Sequence, residues 1–355
     1  MFWGLDMRKI AYVGCRTTKE RNARGKGLKV YEVNELTNEW DEIQLVDNLE
    51  NPSYMCVDLE EKYLYTVHGD TNSVSSFEID RSTGKLNYIN TISTVGRNPV
   101  YITLDKTNKF VYVACLQGGA VYTLKKNDDG SLSEPIYTTK LSGKTENGVS
   151  HAHQCTWDKK MEYLFVPAQG RNIGYSEVNV FKANSDGSLE LSQCMRTREL
   201  DEARHVAVHS NNKYVYLVNE KNNSVTFYGF DDENGKLNPK QILSSLPETY
   251  VGEGQASSVL VHPNNRYLFV SNRIHDSITT YAIDEFTGYI RYISNISSLG
   301  NTPRFMTFNP DGSKLIVANE DSDTIQIFNI NANSGELIYS GHTINTESPV
   351  CIVFN

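Results

Sequence analysis

Signals for several common protein classes are missing from this chain. Its six cysteines, at positions 15, 56, 115, 155, 194 and 351, are scattered, and no two form a CxxC pair. That spacing leaves mostly buried thiols in a reducing cytoplasm as the expectation. No long basic run appears and the formal net charge is −9, which argues against nucleic acid as a partner. No apolar run approaches the length that spans a bilayer, so no membrane partner is expected. The start, MFWGLDMRKIAYVGC, lacks the basic-then-apolar layout of a secretory signal. Residues 1–8 read as a short extension, and Met7 just before the first strand makes 1–6 dispensable. Neither a serine elbow nor a catalytic-cysteine signature is present, so a covalent intermediate is not expected. His151 and His153 stand two apart and would share one face of a strand. No Asp/Cys cluster with metal spacing supports them, so neither a metal nor another cofactor is expected. The histidines at 68, 205, 209, 262, 275 and 342 read as turn or surface residues, with His205 beside Arg204 the one to watch.

What the chain does have is aromatic residues and repetition. Twenty-one tyrosines and 13 phenylalanines in 355 residues favour β structure. The stretch RHVAVHSNNKYVYLVNE from Arg204 reads as two short strands around a polar turn, and it has relatives throughout. NPSYMCVDLEEKYLYTVHG starts at Asn51, NPVYITLDKTNKFVYVACL at Asn98 and HAHQCTWDKKMEYLFVPAQ at His151. QASSVLVHPNNRYLFVSNR starts at Gln255 and TPRFMTFNPDGSKLIVANE at Thr302. Most are followed by a further strand and a G-x-L signal such as TGKL or DGSL.

The second strands begin at Lys9, Tyr63, Phe110, Tyr163, Tyr214, Tyr267 and Lys314, spaced 54, 47, 53, 51, 53 and 47 residues apart. Seven four-stranded units of this length indicate a single seven-bladed β-propeller over residues 9–355. KIAYVG at Lys9 is a second strand without a first, and PVCIVFN at Pro349 is a first strand without a second. The C-terminal strand should therefore close the blade that the N-terminus begins, leaving no free edge there.

In a propeller the first strand of each blade lines the central channel, so its start and the end of the second strand share one mouth. The position just before each inner strand holds Ser53, Val100, His153, Arg204, Ser257, Arg304 and Val350. The position ending each second strand holds Cys15, Gly69, Leu116, Gln169, Glu220, Arg273 and Glu320. His153, Arg204, Glu220 and Arg273 thus converge from three consecutive blades as candidate catalytic groups. His205, Arg304 and Glu320 are candidate secondary contacts, the last two as an ion pair.

The motifs HAHQCTWDKKMEYLFVPA, ARHVAVHSNNKYVYLVNE, HPNNRYLFVSNR and PRFMTFNPDGSKLIVANE resemble those of the seven-bladed propeller lactonases. That family includes one type of 6-phosphogluconolactonase and the fungal type of carboxy-muconate lactonising enzyme. The resemblance runs from KIAYVG to PVCIVFN and implies a site at His153, Arg204, Glu220 and Arg273. It also implies a small anionic lactone or carboxylate as substrate, no cofactor, and lactone hydrolysis or the lactone-forming cycloisomerisation. A non-catalytic binding propeller is the third reading. In the hydrolase reading Glu220 is the first candidate for general base and lies in an exposed pocket. Three departures stand out: Glu202-Ala203 replaces the family's Gly-Pro, HSNN at His209 replaces its HPxG turn, and blade 4 carries a longer loop, GRNIGYSE, from Gly170.

Overall fold

The second strands are apolar runs such as FVYVAC at Phe110–Cys115 and are buried on both faces, while the outermost strands alternate, as at Leu132–Lys140. A sheet with that gradient buries its inner strands between neighbouring sheets and wets only its outer one. The computed structural model, which describes residues 8–355, shows this arrangement seven times around a ring. Of the extension read at residues 1–8, residues 1–7 lie outside the described residues. Arg8, counted with it, already pairs with Asn34 as the first residue of strand Arg8–Cys15.

Six of the second strands start at the residues on which the repeat was anchored, from Tyr63 to Lys314. Blade 1 pairs Pro349–Phe354 with Arg8–Cys15, through partners such as Tyr12 with Val353 and Gly14 with Cys351. Behind this seam Val13 and Val33 pack with Ile316, Ile325 and Ile352, joining blade 1 to blade 7 in one apolar cluster. The ring is closed by hydrogen bonds and by core together.

Three of the G-x-L signals, and the related G-Y-I at Gly288, prove to be docking points between blades. Tyr12, Tyr65, Tyr112 and Tyr216 each donate a buried hydroxyl hydrogen bond to a glycine carbonyl of the following blade, at Gly84, Gly130, Gly187 and Gly288. These glycines hold φ between +73° and +87°, a left-handed turn that an L-residue adopts only with strain.

Inner strands occupy Pro52–Val57, Pro99–Leu104, Ala203–Val208, Gln255–Val261 and Pro303–Phe308 in blades 2, 3, 5, 6 and 7. Their pairing skips a residue near the start, which opposes no partner: Ser53, Val100, Arg204 and Arg304, with Val350 in blade 1. Blade 6 shifts register across Ser257 and Ser258. These are the residues expected just before the inner strands, and they sit instead within them, at β-bulges. A bulge re-aims the side chain of its extra residue, which is how a strand that otherwise lines the channel turns a side chain to the mouth in every blade but the sixth.

Candidate active site

Blade 4 takes the bulge furthest. Its inner strand is broken into His151–Ala152 and Thr156–Trp157, with His153 in the gap. The even-odd face rule therefore does not hold between the two histidines. His151 turns its Nδ1 to the Leu116 carbonyl at 2.8 Å, while His153 lines the mouth cavity. No group of three or more His, Cys, Asp or Glu able to hold a metal ion occurs among the described residues.

The cavity has a volume of about 270 Å³ and collects side chains from every blade. His153, Arg204, Glu220 and Arg273 all line it, as do His205 and Arg304. Glu320 does not. It stands behind Arg304, 3.2 Å from Nη1, as the expected ion pair, and is a support for that arginine instead of a contact of its own. His205 lies lower, edge-on to His153 at 5.1 Å and to Tyr101 at 5.8 Å. Tyr101 stacks on Tyr54 at 4.0 Å, so an aromatic floor underlies the charged groups. A second cavity of about 310 Å³, lined by Val206, Leu260 and Thr307, shares Tyr54, His205 and Phe305 with the first.

Glu220 is the hub. Its Oε2 lies 3.0 Å from Arg204 Nε and accepts a 2.9 Å hydrogen bond from Gln169 Nε2. Its Oε1 lies 3.1 Å from Arg273 Nη2, and His153 Nε2 is 4.0 Å from Oε2. Burial alone would raise this carboxyl, but Arg273, Arg204 and Arg304 overcome it and hold the pKa near 2. The pocket is therefore not exposed in the sense expected: only 17% of the Glu220 side chain meets solvent, and Arg204 and Arg273 are buried. Burial, then repulsion from Arg204, keeps His153 well below the ordinary imidazole range, so it is neutral at pH 7.

Buried polar atoms nearly always find partners. Here His153 Nδ1, Arg204 Nε, Arg273 Nε, Arg16 Nε and Ser53 Oγ have no hydrogen-bond partner, and all five residues line this cavity. Arg204 Nε touches Glu220 as an ion pair, but its N–H is not aligned along the contact. Unspent donors and one unspent acceptor at a single mouth describe a site built for a polar, anionic guest.

Arg16, Arg21, Arg171 and Gln169 were not singled out as functional residues beforehand. Arg16 and Arg21 follow the second strand of blade 1, in RTTKERNARGKG, a basic stretch with no counterpart in the other units. Arg171 comes from the longer loop of blade 4. Its Nε donates to Gln169 Oε1 at 2.8 Å, and its backbone N–H donates to the Glu202 carboxylate at 3.0 Å. Glu202 holds φ +55°, where the family's glycine would sit without strain. Two departures are thus one: the glutamate that replaces glycine anchors the loop that carries Arg171 to the mouth. Of the histidines read as turn or surface residues, His68, His205, His209 and His262 are buried, and the rings of His68, His209 and His262 each hydrogen-bond a backbone carbonyl. All six cysteines are unpaired; four are buried, Cys56 is half-buried and Cys194 is exposed. No helix among the described residues is long and apolar enough to cross a membrane.

Among known proteins, a family model described as lactonase, 7-bladed beta-propeller, matches residues 10–354. The chain is 26% identical over 350 residues to a 6-phosphogluconolactonase of Bacillus subtilis, covering 97% of this chain and 98% of that one. It is 28% identical over 344 residues to a 6-phosphogluconolactonase of Formosa agariphila, covering 92% and 94%. A solved periplasmic gluconolactonase of Pseudomonas aeruginosa superposes with a TM-score of 0.88 at 23% identity, over 98% of this chain and 99% of that one, a likeness of fold.

Proposed function

Because the chain belongs to the seven-bladed β-propeller lactonase family, we propose that it hydrolyses a sugar-acid-type lactone bearing an anionic group, at the mouth built by His153, Arg204, Glu220 and Arg273. The observation that carries this reading is the convergence of unpartnered cationic donors and one neutral imidazole on a single cavity. Two relatives that cover nearly the whole chain are named 6-phosphogluconolactonase, which supports a phosphorylated gluconolactone as the first substrate to try.

The chemistry assigns roles differently from the first expectation. A general base must be able to take a proton. Glu220 spends its oxygens on Arg204, Arg273 and Gln169, and a pKa near 2 makes it a poor acceptor. Burial and Arg204 lower the basicity of His153 as well. Its Nδ1, unlike the Glu220 oxygens, has no hydrogen-bond partner, so His153 takes the proton of the attacking water. The imidazolium that forms has Glu220 4.0 Å from Nε2 to stabilise it, the logic of a base oriented by a carboxylate. The lactone carbonyl oxygen gains negative charge as water adds, and Arg204 and Arg273 provide fixed positive charge for it in a desolvated site. His153 then returns its proton to the departing ring oxygen, which ends as a hydroxyl. The new carboxylic acid loses water's second proton to solvent to become the carboxylate. No covalent enzyme intermediate is required.

The unpaired cysteines favour a reducing compartment such as the cytoplasm, although one structural neighbour is periplasmic. Assay of phosphorylated and plain sugar lactones for acid release, corrected for spontaneous opening, tests the reading. Turnover that falls by about 10²–10⁴ in His153→Gln supports it. Full activity in that variant would remove His153 as base.

A further inference from the structure

His153, Arg204, Glu220 and Arg273 occupy blades 4 to 6. The ring order places blades 7, 1 and 2 on the other side of the mouth, and the remaining unpartnered atoms belong there.

Arg16 leaves the second strand of blade 1 and its side chain is only 4% exposed. Nη1 reaches Asp70 at 3.3 Å, while Nε has no hydrogen-bond partner. Ser53, the bulge residue of blade 2, is buried with its Oγ unpartnered. Gly69 holds the two together. It is the residue at the mouth end of the second strand of blade 2, where the other blades carry Cys15, Leu116, Gln169, Glu220, Arg273 or Glu320. A Cβ on Gly69 would collide with Arg16 Nη1 and come within 2.7 Å of Ser53 Oγ. Glycine leaves the space that the Arg16 guanidinium fills, and any side chain there would force it to shift.

The charges on this side do not balance. Arg16, Arg21 and Arg304 face two carboxylates, Asp70 and Glu320. Three cations against two anions leave one positive charge in excess. Burial first, and then repulsion from Arg304, lowers Arg16 to a pKa of about 9. An added anion would relieve that repulsion.

We infer that Arg16, Ser53 and Arg304 form a second oxyanion subsite, which takes the phosphate group at the end of the substrate remote from the lactone. Donors from three blades suit the three terminal oxygens of a phosphate monoester better than the two of a carboxylate. This inference rests on the reading of the opposite side as the lactone-opening site. It adds that charge discrimination centres on blades 1, 2 and 7, opposite the groups that open the lactone.

The test uses Gly69→Ala, which displaces the Arg16 guanidinium while keeping every charge, and Ser53→Ala, which removes one hydroxyl. Each is compared with the parent on 6-phosphogluconolactone and on plain gluconolactone, with inorganic phosphate as competitor. The expected result is a rise in KM of about 10-fold to 100-fold for the phosphorylated lactone, the loss of one or two charge-assisted hydrogen bonds. For the plain lactone, which lacks the phosphate, the loss should be at least about 10-fold smaller, and phosphate should compete more weakly. Equal losses on both lactones, or unchanged competition by phosphate, would overturn the subsite. Should Gly69→Ala fail to fold, Ser53→Ala decides alone. Should the parent open no lactone, the catalytic reading falls, and calorimetric titration with inorganic phosphate still judges the subsite. Weaker binding in Ser53→Ala supports it, and equal binding refutes it.

Discussion

Arg273 Nη2 lies 3.1 Å from Glu220 Oε1, a contact between the second strand of blade 6 and the mouth end of the second strand of blade 5. With Arg204 on its other oxygen, Glu220 is the anion that lets two buried guanidiniums share one mouth. Its first importance is therefore to keep the site assembled.

Glu220→Gln should consequently cost stability as well as activity. Removing one partner of a buried ionic group leaves uncompensated charge and typically costs ~3–5 kcal/mol. Thermal unfolding should show a clear drop in Tm, and Glu220→Gln combined with Arg273→Gln should recover part of it. An unchanged Tm in the single variant would mean that solvent already screens the cluster.

Stability should fall as the medium is acidified, in two stages. His153 and His205 have folded pKa values depressed below 6.5 by burial, with Arg204 adding to it. The unfolded chain then binds more protons, so their contribution is present above pH 6.5 and is lost as pH falls below it. Glu220, held near 2 against an ordinary 4.5, contributes above about pH 4.5 and is lost as pH falls toward 2. Tm measured from pH 8 to pH 3 should decline below 6.5 and again below 4.5. A flat profile across that span contradicts the buried, charge-coupled site.

Deleting residues 349–355 removes the strand that pairs with Arg8–Cys15 and strips one side of the cluster joining blades 1 and 7. The truncated chain should unfold or aggregate, because a bare second strand then faces water as a free edge. A truncated protein with the parent's melting temperature would refute closure by the C-terminal strand.

Much of this was legible in the sequence because a propeller repeats one solution. The anchors Tyr63, Phe110, Tyr163, Tyr214, Tyr267 and Lys314 are the observed strand starts, since each opens an apolar run after a polar turn. Equivalence in the repeat also brought His153, Arg204, Glu220 and Arg273 to one cavity. What a repeat cannot display is whatever occurs once. Arg16 enters from a stretch unique to blade 1, and its visible sign was Gly69, the smallest residue at a position of otherwise larger ones. Arg171 depends on a loop with no counterpart, held by Glu202 in a left-handed conformation that no composition rule assigns to glutamate. The burial of His68 and His262 was hidden for a different reason. Each ring closes a contact to a backbone carbonyl distant in sequence, Glu50 and Gly312, which local pattern does not reveal.

The central claim is that water opens a lactone at this mouth with His153 as base. The most direct measurement follows the reaction in isotopically labelled water, by mass spectrometry of the product, for the parent and for His153→Gln. The account predicts one solvent oxygen in the product carboxylate, none in the hydroxyl released from the ring, and a rate above background that falls by about 10²–10⁴ in His153→Gln. Exchange of a carbon-bound hydrogen without incorporation of oxygen would instead show a cycloisomerase-type proton shuttle, and would contradict hydrolysis at this site.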